Sequence, residues 1–116
     1  MHAILDSTRP FEQFVLLSVV ELATADRTPA HSYDVTKTAK ARLDDVDRDT
    51  FGGVERQAVI ATLGSLAEDG LLAKAETRSP TGKGRPAYEL AVDAESVIAN
   101  LSGDDVVGPY ADSLSA

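Results

Sequence analysis

The stretch Arg78-Ser79-Pro80-Thr81-Gly82-Lys83-Gly84-Arg85-Pro86 holds three cations and no acid, in a chain whose formal net charge is −8. Local positive charge on an acidic protein points to a polyanionic partner. Lys83 and Arg85 flank Gly84, with Gly82 to bend the backbone and Pro86 to stiffen it. A tip of this kind can follow a phosphate backbone or enter a minor groove, whose potential favours Arg. It is not a nucleotide-phosphate loop, because the glycine spacing differs and no helix starts at the Lys.

A second set of residues has the chemistry to read base edges. Gln57, Ala58, Ala61, Ser65 and Glu68 fall on the outward face of a predicted helix, with Thr62 at its edge. Small side chains let a helix seat deeply in a major groove. There Gln bonds adenine bidentately, and Ser or Thr takes a base edge or a phosphate. The same face would also serve as a plain solvated surface. Arg56 lies by angle near the inner stripe, one turn before Ile60, and either snorkels over the core or reaches a phosphate from the helix start. On the preceding helix Thr36, Lys37 and Lys40 fall away from the core, towards a DNA backbone if that helix crosses one.

Catalytic chemistry has few carriers. The chain has no Cys and two His, His2 and His31, without the paired-His spacing of a metal site. The run Asp44, Asp45, Asp47, Asp49 lacks the later Gly and Glu of a calcium loop and reads as a solvated acidic loop. No cofactor, no metal and no enzymatic residue is expected.

A small set of elements must position these residues. Pro10 suits a first helical position, with Glu12 in the first turn where the dipole favours an acid. Phe14, Val15, Leu16, Leu17, Val19, Val20 and Leu22 then surround most of that helix, so it needs cover on more than one side. Asp26-Arg27-Thr28-Pro29 ends it, and residues 29–31 can add a short edge strand. Ser32 is the expected N-cap of a second helix over residues 33–43, with Val35, Ala39 and Leu43 inside. A long acidic connection over residues 44–53 leads to a third helix over residues 54–69. Its inner stripe is Val59, Ile60, Leu63, Leu66 and Ala67, and Gly70 stops it in the left-handed conformation. Strand-like runs over 71–77 and 87–92 form a hairpin around the cationic tip. Asp93 caps a fourth helix over 94–102, and Val106, Val107, Tyr110 and Leu114 point to a last short helix after Pro109.

At 116 residues the chain has the size of one domain. It divides into an arm over 1–10, a DNA-binding unit over 11–92 and a C-terminal helix and tail over 93–116. Without an apolar run of about 18 residues no membrane span is expected, and residues 1–9 lack the pattern of a signal peptide. The expected location is cytoplasmic. Asp outnumbers Glu twelve to seven and Arg outnumbers Lys seven to four, with seventeen Ala. That texture resembles proteins of salt-in halophilic archaea; an ordinary acidic domain from a GC-rich genome would share it. Residues 37–85 carry nine cations against eight acids, whereas residues 86–116 carry six acids and no cation. An anionic ligand is therefore expected at the middle of the chain.

The segment Leu63-Gly64-Ser65-Leu66-Ala67-Glu68-Asp69-Gly70-Leu71-Leu72 resembles the recognition-helix end of PadR-like winged-helix regulators. Gly82-Lys83-Gly84-Arg85-Pro86-Ala87-Tyr88-Glu89-Leu90 resembles their wing, and the likeness spans residues 11–101. Ile60 stands where such helices carry an aromatic, and their long C-terminal pairing helices are missing. Glu55-Arg56-Gln57-Ala58-Val59 also resembles the C-terminal winged helix of archaeal Orc/Cdc6 initiators.

Residues and resemblance together lead to an α+β winged helix-turn-helix with a three-helix core, a two-to-three-stranded wing hairpin and a C-terminal helix. The expected function is regulation of transcription by a homodimer on a pseudo-palindromic duplex DNA site. Thr36, Lys37, Lys40, Arg56, Gln57, Ala61, Thr62, Ser65, Lys83, Gly84 and Arg85 would touch DNA. Phe11, Leu16, Val20, Val97, Leu101, Val106, Val107 and Leu114 exceed what one small core needs and would form the dimer interface. In molar salt the screening length falls to about 3 Å, so shape fit and solvent cations bridging acid to phosphate would carry the affinity. The competing expectation is an adaptor that binds protein and not DNA, motivated by the net charge and the Asp44–Asp49 run.

Overall fold

The apolar density of the first helix decides the architecture. In the computed structural model, which describes residues 10–42, 54–75, 87–102 and 107–115, α1 (Pro10–Thr24) buries Phe14, Val15, Leu16, Leu17, Val19, Val20 and Leu22. A helix apolar round most of its circumference must be packed on several sides. α2 (Ser32–Ala41), α3 (Arg56–Glu68), α4 (Ala94–Leu101) and α5 (Gly108–Ser115) all contact it. So does β3 (Ala87–Leu90), the middle strand of a three-stranded antiparallel sheet between β1 (Ala30–His31) and β2 (Leu72–Ala75). Ala30 stands opposite Tyr88, Leu72 opposite Leu90, and Ala75 opposite Ala87. The fold is α+β, with five helices and this sheet among the described residues.

Two helices end in the same hydrogen-bonded stop. At α3 the Gly70 amide donates to the Ala67 carbonyl at 3.2 Å and the Leu71 amide to the Leu66 carbonyl at 3.0 Å, with Gly70 at φ +85°. Leu66 and Leu71 are both buried, which adds the apolar clasp that accompanies this motif. At α1 the Asp26 amide donates to Ala23 at 3.1 Å and the Arg27 amide to Leu22 at 2.8 Å, with Asp26 at φ 59°. Here a non-glycine residue takes the left-handed position, which a short polar side chain tolerates best.

Three expected boundaries shift. Ser32 belongs to α2, and its carbonyl accepts the Thr36 hydroxyl at 2.7 Å; His31 holds the cap position without a side-chain cap bond. α3 begins at Arg56, after Glu55 in extended conformation. α5 begins at Gly108, one residue before Pro109, where a Cβ would lie 2.8 Å from the Ser102 carbonyl oxygen. Only glycine lets the start of α5 sit this close to the end of α4. The Asp93 cap of α4 is as expected, its carboxylate accepting the Ser96 amide at 3.1 Å.

The surplus of apolar residues also receives a different account. Leu16, Val20, Val97, Leu101 and Val107 are all buried within the single chain. α4 and α5 fold back over α1 and cover them, so these five residues no longer argue for a second subunit. Phe11 and Leu114 are partly buried against the same core. Tyr110 of α5 completes the closure: its ring meets Phe14 edge-on at 5.7 Å, and its hydroxyl donates to Glu21 Oε1 at 2.9 Å. Arg42, just past α2, pairs with the same oxygen at 2.8 Å and lies 5.7 Å from the centre of the Tyr110 ring. Burial pushes the Tyr110 hydroxyl well above its ordinary pKa; the Ser18 hydrogen bond opposes the shift and the Glu21 carboxylate adds to it.

Candidate functional site

α3 is anchored by Val59, Leu63 and Leu66, which are fully buried. Their spacing sets the outward residues. Arg56, Gln57, Ala58, Ala61 and Ser65 are exposed, and Thr62 is half-buried. Ile60, expected inside, is 46% exposed. It lies one position round the helix from Val59, where the inner stripe has already turned away from α1.

The outward surface of α3 has two flanks. Ala61, Thr62, Ser65, Glu68 and Asp69 border a hollow of about 520 Å³ against Phe11 and Glu12 at the start of α1. Three carboxylates, Glu12, Glu68 and Asp69, rim that hollow, and negative charge there opposes a phosphate. Arg56 and Ile60, one turn apart, run along the other flank. The structure thus separates Thr62 and Ser65 from Arg56, with Gln57 on the outer ridge between.

α2 buries Val35, Thr36 and Ala39. Thr36 is 6% exposed and its hydroxyl is bonded within the helix, which corrects its expected role as a phosphate contact. The inner stripe of α2 is two residues wide, and Thr36 belongs to it. Lys37 and Lys40 are exposed as expected. Tyr33, 58% exposed, shares their face, since positions 33, 37 and 40 follow the helical repeat. The sequence carries the signal for it in this spacing alone. A phenol beside two ammonium groups can donate to a phosphate oxygen.

α3 passes through the Gly70 stop into β2, and the Ala75–Ala87 pair fixes both ends of the segment between the hairpin strands. That segment carries Lys83, Gly84 and Arg85 and lies outside the described residues, as do Asp44–Asp49 and Val106. A second hollow, about 450 Å³, lies between the end of α1, α4 and α5 and is lined in part by Ile98 and Leu114. Among the described residues, none of the expected DNA contacts lines it.

No protein-family model matches the chain, and no curated protein or solved structure matches it at a significant level. Among the described residues no helix is long and apolar enough to cross a membrane.

Proposed function

We propose that this chain is a winged helix-turn-helix protein that binds duplex DNA and regulates transcription. The observation that supports it most is the exposure of Arg56 and Gln57 at the start of α3, while Tyr33, Lys37 and Lys40 line the outer face of α2, the helix packed against it. A helix anchored by one buried stripe and bearing small outward side chains has the profile for a major groove. The lysine stripe suits the phosphates on either side, and the cationic sequence of residues 78–86 follows α3 in the chain. The described residues give the dimer less support than the sequence did, so stoichiometry enters the test.

Selection of bound duplexes from a random pool checks the reading. Enrichment of one motif, with affinity falling as salt rises, is the expected result. The salt slope should be about −0.9 per phosphate neutralised. Two copies per enriched site would bring back the homodimer; no enrichment at any salt concentration would remove the DNA reading. The carboxylate-rimmed hollow favours a second reading, a protein-binding adaptor that accepts a cationic segment. Binding of an Arg-rich peptide that Glu12→Gln and Glu68→Gln weaken, with no duplex enriched, would select it.

A further inference from the structure

Ile60 and Tyr33 are the large apolar side chains that the described part of the fold leaves exposed, and both lie on the proposed DNA-binding helices. Ile60 is the harder to explain by folding. It adds nothing to the Val59-Leu63-Leu66 anchor, and a β-branched residue on an open helix surface is a poorer helix former than the Ala residues around it. Gln57, Ile60, Ala61 and Gly64 follow the spacing of one helical ridge. Its profile falls from a long amide to a bare backbone, and a Cβ at Gly64 would meet nothing within 4 Å. Such a ridge can approach a surface closely along its whole length. Ile60 also lies on the Arg56 flank, away from the carboxylate-rimmed hollow.

We infer that Ile60 is a specificity-determining residue that packs on the C5-methyl group of a thymine in the major groove. This rests on the DNA-binding reading above and gives it a base. An isoleucine side chain has no donor or acceptor, so it cannot answer the hydrogen-bond pattern of guanine, cytosine or adenine. Thymine is the base whose major-groove edge presents a methyl group. Ile60 lies three residues after Gln57, about 4.5 Å along the helix axis at 1.5 Å per residue. One base step rises about 3.4 Å, so the thymine sits within roughly two base pairs of the adenine that Gln57 reads.

The test uses the enriched duplex with each thymidine replaced in turn by deoxyuridine, which keeps the pairing and removes the methyl. The full chain should lose about fourfold in affinity at one position, the worth of one buried methyl group, and little at the others. Ile60→Ala should bind the two duplexes at that position equally, while Ile60→Val keeps part of the difference. Melting of both variants no lower than that of the parent chain, expected for an exposed site where Ala is the better helix former, assigns the change to recognition. If no deoxyuridine position matters, or if Ile60→Ala keeps the full response, the thymine contact is wrong while DNA binding stands. Absence of binding to any duplex removes both.

Discussion

Arg56 is placed against the electrostatics of its own helix. It occupies the first turn of α3, where the macrodipole disfavours a cation by about 0.3–1 kcal/mol. On the proposed DNA-binding reading, folding and binding therefore ask for different residues at this position. Arg56→Gln should leave thermal stability unchanged or slightly raised. It should weaken DNA binding on every sequence and flatten the salt slope by about one, which titrations at several salt concentrations would show. Gln57→Ala should behave otherwise, losing about 1–3 kcal/mol at one base position and little elsewhere. Equal loss on all sequences would overturn the base-reading role proposed for Gln57. Of the residues expected to touch DNA, Lys37, Lys40 and Gln57 had an exposure that was legible, because each lies squarely on an outer arc. Thr36 and Ile60 sit at the border of an inner arc, where one position of helical phase exchanges burial for exposure. Periodicity alone does not resolve that border.

At the scale of elements, the two helix stops invite opposite substitutions. Gly70 and Asp26 hold the same left-handed position of the same motif. At Gly70 an added Cβ would meet open space, so the whole penalty of Gly70→Ala is conformational, roughly 1 kcal/mol after allowing for the stiffer unfolded chain. Asp26→Gly should relieve a similar strain and shift stability less, in the opposite direction. Urea denaturation of the two variants beside the parent chain would read both signs. If both variants destabilise, the Asp26 side chain must contribute something beyond its backbone angle. Most of the elements could be read from local signals of this kind: Pro10 at a start, Asp93 at a cap, Gly70 at a stop. The start of α5 could not. Gly108 reads as a loop residue until its approach to the Ser102 carbonyl is seen, and that approach depends on tertiary packing.

For the molecule as a whole, the contact between Glu21, Arg42 and Tyr110 joins α1, the end of α2 and α5 in one polar cluster at the edge of the core. It should make the fold sensitive to alkali. The folded chain keeps the Tyr110 proton above the ordinary tyrosine pKa of 10.0, whereas the unfolded chain releases it there. The unfolded state then binds fewer protons, so stability falls as pH rises. Melting at about pH 8 and about pH 11 should show a drop in the parent chain that is smaller in Tyr110→Phe. At neutral pH the same variant should lose about 1–2 kcal/mol with its hydrogen bond to a carboxylate. An equal alkaline drop in both would assign the effect to other groups. The extent of this closure was hidden in the sequence: the apolar residues of α1, α4 and α5 could be counted, but a count does not distinguish a chain that covers itself from one that waits for a copy.

The encirclement of α1 has a consequence during synthesis. Tyr110 follows Glu21 by 89 residues. At a translation rate of roughly 5–20 residues per second, the ribosome exposes this greasy rod on the order of ten seconds before its final cover emerges. The first of the described helices to be made is among the last to be enclosed, and nascent chains stalled before α5 should be the ones that chaperones hold.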